Sequence, residues 1–90
     1  MDSKAEQIAE QLLDYFAYEL GADKKWLDFD TITKSYQFSF HFNLDGRQYG
    51  LSHHIDATHH LSDETDAWIY AEYSLMDMKR AKAAFLAEEE

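Results

Sequence analysis

Four histidines crowd one short stretch of this chain, His53, His54, His59 and His60, with Asp56 among them and Asp63 and Glu64 just beyond. Imidazole nitrogens beside carboxylates are the ligand set of zinc and related transition metals. The residue pattern around them tests that chemistry. The segment ends a strand at about Ile55, and successive strand side chains point to opposite faces. His53 then faces a core and His54 a polar surface, so the two cannot share an ion without a bulge. His41 falls on the same face as His54 but roughly 13 Å along the strand, too far for ligation at about 2 Å. This leaves His54, Asp56 and a folded-back His59 or His60, whose spacing follows no standard zinc pattern such as H-E-x-x-H. The expectation is a core-facing His53, solvated loop histidines, and neither metal nor other cofactor. A His/Asp metal-binding protein stands as a second alternative.

Other catalytic chemistry finds less to work with. The chain has no cysteine, which excludes thiol nucleophiles, thiolate metal sites and disulfides. Its three glycines, Gly21, Gly46 and Gly50, each have a turn or strand explanation and build no phosphate-binding loop. No G-x-S-x-G elbow is present. Acidic pairs such as Asp28/Asp30 and Asp63/Glu64 carry no sign of a pocket between them. The sequence reads as that of a protein that is not an enzyme.

Carboxylates and aromatic side chains are the stronger signal. Eighteen acidic residues against eight basic ones give a formal charge of −10, while hydrophobic content is 46% and aromatic content 16%. A disordered acidic tail lacks such apolar content, so this is a folded acidic chain. Phosphate backbones are bound by Lys and Arg displacing counterions, so direct nucleic-acid binding is disfavoured and basic protein surfaces are the expected partners. Glu6, Glu10 and Asp14 form an i, i+4, i+8 row on the first helix. Asp28, Asp30, Asp63, Glu64 and Asp66, together with Trp26 and Trp68, complete the candidate partner-binding set: aromatic anchors among charged residues.

The elements that must position these residues are legible in part. One hairpin organises the chain, with arms 32–44 and 47–56. Ile32, Tyr36, Phe38, Phe40, Phe42 and Leu44 alternate with polar residues, and Asp45-Gly46 supplies a type I′ turn. The turn sets Leu44 opposite Arg47, Phe42 opposite Tyr49, Phe38 opposite His53 and Tyr36 opposite Ile55. Ser3 and Glu6 form a capping box, with Asp2 adding charge, for a helix whose stripe is Ala5, Ile8, Leu12, Phe16 and Leu20 and which ends at Gly21. The segment from Ala22 to Thr31 reads as an ordered loop or a short edge strand at Trp26 to Phe29. After a polar loop over 56–66, the β-prone run Trp68, Ile69, Tyr70, Tyr73 reads as a strand over 67–73. A helix then runs from Leu75 to about Glu88, opened by a capping box at Ser74 and Asp77. The competing reading is one long helix capped by Ser62. Three glutamates at a helix C-terminus oppose its dipole, so fraying is expected at Glu88, Glu89 and Glu90.

The expected architecture is a single α+β domain over 1–90, in the order α-β-β-β(-β)-α. A small antiparallel sheet of three to four strands, with the hairpin central, carries the N- and C-terminal helices on one face. No apolar run approaches the roughly 20 residues of a membrane helix, so a soluble, cytoplasmic protein is expected, as monomer or homodimer. In size, charge and coarse architecture the chain is similar to small phage-encoded DNA mimics that block CRISPR or restriction complexes. That similarity implies an anti-CRISPR or anti-restriction type of inhibitor or adaptor docking on a basic nucleic-acid-binding protein. The alternative is a structural or assembly subunit that homo-oligomerises through the sheet, by its exposed edge or its Ser/Gln/His face.

Overall fold

A computed structural model describes residues 3–88, and side chains from Lys4 onward. The capping box expected at Ser3 with Asp2, and the fraying expected at Glu89 and Glu90, lie outside the described residues or side chains. Six elements follow in order: α1 (Ser3–Leu20), β1 (Lys24–Asp30), β2 (Ser35–Leu44), β3 (Arg47–Asp56), a short α2 (Ala57–His60) and α3 (Glu64–Ala87).

In α1 the apolar residues recur at three and four, and the structure buries that stripe: Ala5, Ile8, Ala9, Leu12, Leu13, Phe16 and Leu20. Gly21, at φ 71°, ends the helix. Its N–H donates to the Tyr18 carbonyl at 3.3 Å while that of Ala22 reaches the Ala17 carbonyl at 2.9 Å. This is a Schellman closure, which requires the left-handed backbone that glycine adopts without strain.

The hairpin folds in the register its turn dictates, from Leu44 opposite Arg47 to Ser35 opposite Asp56. Asp45 and Gly46 take φ 54° and 86°, as a type I′ turn demands. The first arm is shorter than its alternation suggests, starting at Ser35 instead of Ile32. The Asp30 carboxylate accepts the N–H groups of Ile32 and Thr33 at 2.9 and 3.3 Å, and Lys34 turns left-handed at φ 57°. Residues 31–34 are thereby spent on a turn, and Ile32 is left 91% exposed.

That turn returns the chain from β1, which pairs antiparallel with β2 from Lys24 opposite His41 to Asp30 opposite Ser35. The sheet order is β1-β2-β3. Its third strand therefore comes from the segment before the hairpin, where the sequence left strand and loop open. One face presents Leu27 and Phe29, the β2 aromatics, and Tyr49, Leu51, His53 and Ile55 to the helices; the other carries Ser, Gln, His and Asp. Phe16 stands edge-on to Phe38 and Phe40 at 5.5 and 6.4 Å between centroids, all three buried. Each such side chain contributes about 1.5–3 kcal/mol on burial.

Residues 67–73 are helical, which corrects the strand expected there and the helix start expected at Leu75. α3 is one helix from Glu64, preceded by Asp63 instead of a Ser62 cap. Trp68, Ile69, Tyr70 and Tyr73 are β-prone one at a time, but tertiary packing decides. Ala67, Ala71, Ser74, Leu75 and Met78 fall on one helical face and are buried, so Ser74 lies inside the helix and caps nothing. Two small alanines allow α3 to approach α1 closely. Trp68 packs edge-on to Tyr15 at 5.2 Å, Tyr15 donates to Glu72 at 2.6 Å, and the Lys82 ammonium donates to the Leu20 carbonyl at 2.7 Å. The last contact places a cation on the negative end of the α1 dipole. Both long helices thus run in the same direction across one face of the sheet.

Candidate protein-binding surface

The molecule is elongated, 44 × 22 × 21 Å. Because α1 and α3 run in parallel, both helix starts lie at one end, joined there by α2 and the β1–β2 turn. The Ala57 N–H ties α2 to that turn by donating to the Lys34 carbonyl at 2.9 Å. Between these elements opens a cleft of about 730 Å³. Leu13, Leu27, Phe29 and Tyr36 give it an apolar lining, with the Phe29 and Tyr36 rings 4.8 Å apart. Glu6 and Glu10 stand on the α1 side and Lys34 on the turn, while Ala57, Thr58 and Ser62 close the α2 side.

This end concentrates negative charge. Glu6 and Glu10 of α1, Asp28 and Asp30 of β1, Asp56 at the end of β3, and Asp63, Glu64 and Asp66 at the start of α3 gather there against Lys4 and Lys34. The remaining basic residues, Lys24, Lys25, Arg47, Lys79, Arg80 and Lys82, belong to the other half. Two of the acidic groups are fixed in the charged state by their geometry. Asp30 lies below the usual carboxylate range because the Ile32 and Thr33 N–H groups bond it. Asp56 is lowered first by the His59 N–H, which it accepts at 3.0 Å along with that of Thr58 at 2.8 Å, as the N-cap of α2. Glu64 and Asp66 lie in the first turn of α3, where the helix dipole favours them.

Not every residue of the expected set joins this end. Asp14, the last of the α1 row, points towards β1 and pairs with Lys25 at 2.5 Å. Asp28 and Asp30 do reach this end, but from the edge strand at positions whose partners in register, Gln37 and Ser35, lie on the uncovered face of the sheet; of the two, Asp28 borders the cleft. Trp26 is on that same face, opposite Ser39 and 50% exposed. Trp68 is half-buried in the seam between α1 and α3 and serves packing. Phe29, which the sequence reading passed over as an anchor, is 44% exposed at the cleft. Its place two residues after Leu27, on the core-facing parity of β1, was the signal that could have found it.

The histidines separate. His53 faces the core opposite Phe38, and His54 lies on the uncovered face opposite Gln37. Asp56 is committed to capping, with His59 Nδ1 3.3 Å from its carboxylate, and His60 stacks on Tyr70 at 3.8 Å. Among the described residues no three His, Cys, Asp or Glu side chains converge as a metal site. No described helix is long and apolar enough to cross a membrane.

Comparison of the chain with family models, with curated proteins and with solved structures returned no match.

Proposed function

We propose that the chain is a non-enzymatic inhibitor or adaptor whose acidic end docks on a basic surface of a nucleic-acid-binding protein, competing there as a mimic of the nucleic acid. One observation carries the reading. Carboxylates of α1 and β1 (Glu6, Glu10 and Asp28) border an open cleft with an apolar lining, and those of β3 and α3, far apart from them in sequence, lie at the same end of the molecule. Negative side chains at one end, Asp30 and Asp56 among them held by backbone N–H groups, offer a Lys/Arg groove the charge that a phosphate backbone would, and Phe29 offers an anchor that a backbone does not. Charge focused at one end also steers encounter, which speeds association and makes it sensitive to salt.

The test is a pull-down against nucleic-acid-processing complexes, followed by titration of the captured partner across a salt series. Glu6→Gln with Glu10→Gln is expected to weaken binding about 10-fold at low ionic strength. That difference should shrink near 1 M salt, where the Debye length is about 3 Å. Asp45→Asn with Asp77→Asn, in the other half, should leave affinity nearly unchanged. A partner whose binding ignores both salt and the Glu6/Glu10 pair would overturn the proposal.

A further inference from the structure

α3 carries two apolar stripes. The inner one is the buried set from Ala67 to Met78. The outer one is Ile69, Tyr73 and Met76, which are 56%, 65% and 51% exposed. At 3.6 residues per turn the outer stripe is centred opposite the inner one and continues through Arg80. Its alternating steps of four and three are those of a seam between paired helices. A surface helix ordinarily gives this face to charged residues. Large apolar side chains in line there mark an interaction surface.

The flanking charges say what covers it. Asp66 and Glu72 stand beside the N-terminal part of the stripe, Lys79 and Arg80 beside its C-terminal part. We propose that α3 pairs antiparallel with α3 of a second copy of this chain, about a twofold axis level with Ser74 and Leu75. In that register Tyr73 meets the partner's Met76, and Ile69 lies beneath the aliphatic stem of the partner's Arg80. The Arg80 guanidinium reaches the partner's Asp66 one turn further on, and Lys79 flanks the partner's Glu72. Each contact occurs twice, as an isologous interface requires.

A parallel pairing would set Asp66 on Asp66 and Arg80 on Arg80, so the charges select the antiparallel arrangement. A uniformly basic partner would be opposed by Lys79 and Arg80, and a uniformly acidic one by Asp66 and Glu72; the stripe complements itself. The existing ion pairs of Lys79 and Arg80 are weak competitors, while Glu72 keeps its bond from Tyr15 and meets the partner's Lys79 with its other oxygen. Arg80 lies 3.4 Å from Asp77 and Lys79 lies 3.8 Å from Glu19, both pairs near the surface, and the Tyr15 hydroxyl occupies one oxygen of Glu72. The interface takes Asp66 from the acidic end but leaves the cleft, with Glu6 and Glu10, and the sheet uncovered, so it is compatible with the proposed function and differs from assembly through the sheet. It would also point the two acidic ends of the dimer in opposite directions.

The stripe is short, so the interface falls below about 1,200 Å², and a dissociation constant of roughly 10–100 µM is expected. Sedimentation equilibrium from about 1 µM to about 1 mM covers that range. Tyr73→Ser should weaken the dimer at least ~10-fold. Arg80→Glu and Asp66→Lys should each weaken it alone, and an equimolar mixture of those two variants should recover association, because each altered charge then faces its opposite. All three positions are exposed, and circular dichroism on the same samples verifies that the variants are folded. Trp26→Ala, on the uncovered sheet face, should leave the dimer unchanged. A monomer across the whole range, a dimer indifferent to Tyr73→Ser, or failure of the mixture to associate would each overturn the proposal.

Discussion

His53 couples the stability of the fold to pH, and replacing it with leucine should remove that coupling. The side chain is half-buried on β3 opposite Phe38, and its Nε2 has no hydrogen-bond partner among the described residues. Burial pushes its pKa below the ordinary 6.5; the Asp77 carboxylate opposes the shift and His54 adds slightly to it. The folded protein therefore holds this ring neutral at a pH where the unfolded chain has begun to protonate it. Below 6.5 the unfolded state binds more protons, so stability rises with pH. The contribution is complete above 6.5, is lost as pH falls from there to the folded-state pKa, and then levels off. The slope has a ceiling of about 1.4 kcal/mol per pH unit. Partial wetting of the ring and the Asp77 charge hold it below that ceiling. Asp30 and Asp56, with lowered pKa values, contribute stability that is lost only as pH falls below about 3.8, so the windows do not overlap. Urea unfolding of wild type and His53→Leu, followed by tryptophan fluorescence from pH 7.5 to 5 (roughly the titration range of a histidine), reads the difference directly. The variant should be more stable by about 1 kcal/mol at neutral pH, because an unpaired nitrogen leaves the core. That advantage should grow as pH falls. An advantage that is constant with pH, or that shrinks on acidification, would refute the reasoning.

Core and surface aromatics of the same helix should separate sharply. Phe16→Ala, at a position 0% exposed between Phe38 and Phe40, should cost about 3–5 kcal/mol in urea unfolding. Tyr18→Ala, at a position 84% exposed, should stay within about 0.5 kcal/mol of wild type. At the hairpin tip, a Cβ on Gly46 would meet nothing within 4 Å, so Gly46→Ala should cost only the backbone penalty of φ 86°. That is about 1 kcal/mol by the same measurement.

The hairpin was legible in advance because two independent signals agree on it. A period of two fixes which face is apolar, and Asp45-Gly46 fixes which residues oppose each other. α1 was legible for a similar reason, with a stripe of one width and a glycine at its end. α3 was not, because the outward face carrying Ile69, Tyr73 and Met76 blurs the amphipathic contrast on which a helix reading depends, and aromatic β-propensity filled the gap. β1 was ambiguous because Lys25 occupies its core-facing parity and Trp26 its wet one, which breaks the alternation at the start. The candidate surface was legible as a list of carboxylates and not as a place. Glu6 and Ser62 meet at one cleft only because two long helices run in parallel, and nothing local in the sequence specifies that direction.

Of the three strands, only β2 is paired along both edges, from Ser35 to His41, and its aromatic face lies beneath α1 and α3. Its doubly flanked backbone amides are bonded to a neighbouring strand and cannot fray from an edge, so they are expected to exchange with solvent hydrogen through the same opening that dissolves the aromatic core. The outward-facing amides of β1 and β3 need no such event. The molecule is therefore expected to loosen from both margins of the sheet towards its middle, with the slowest-exchanging amides in the strand where Phe38 and Phe40 meet Phe16.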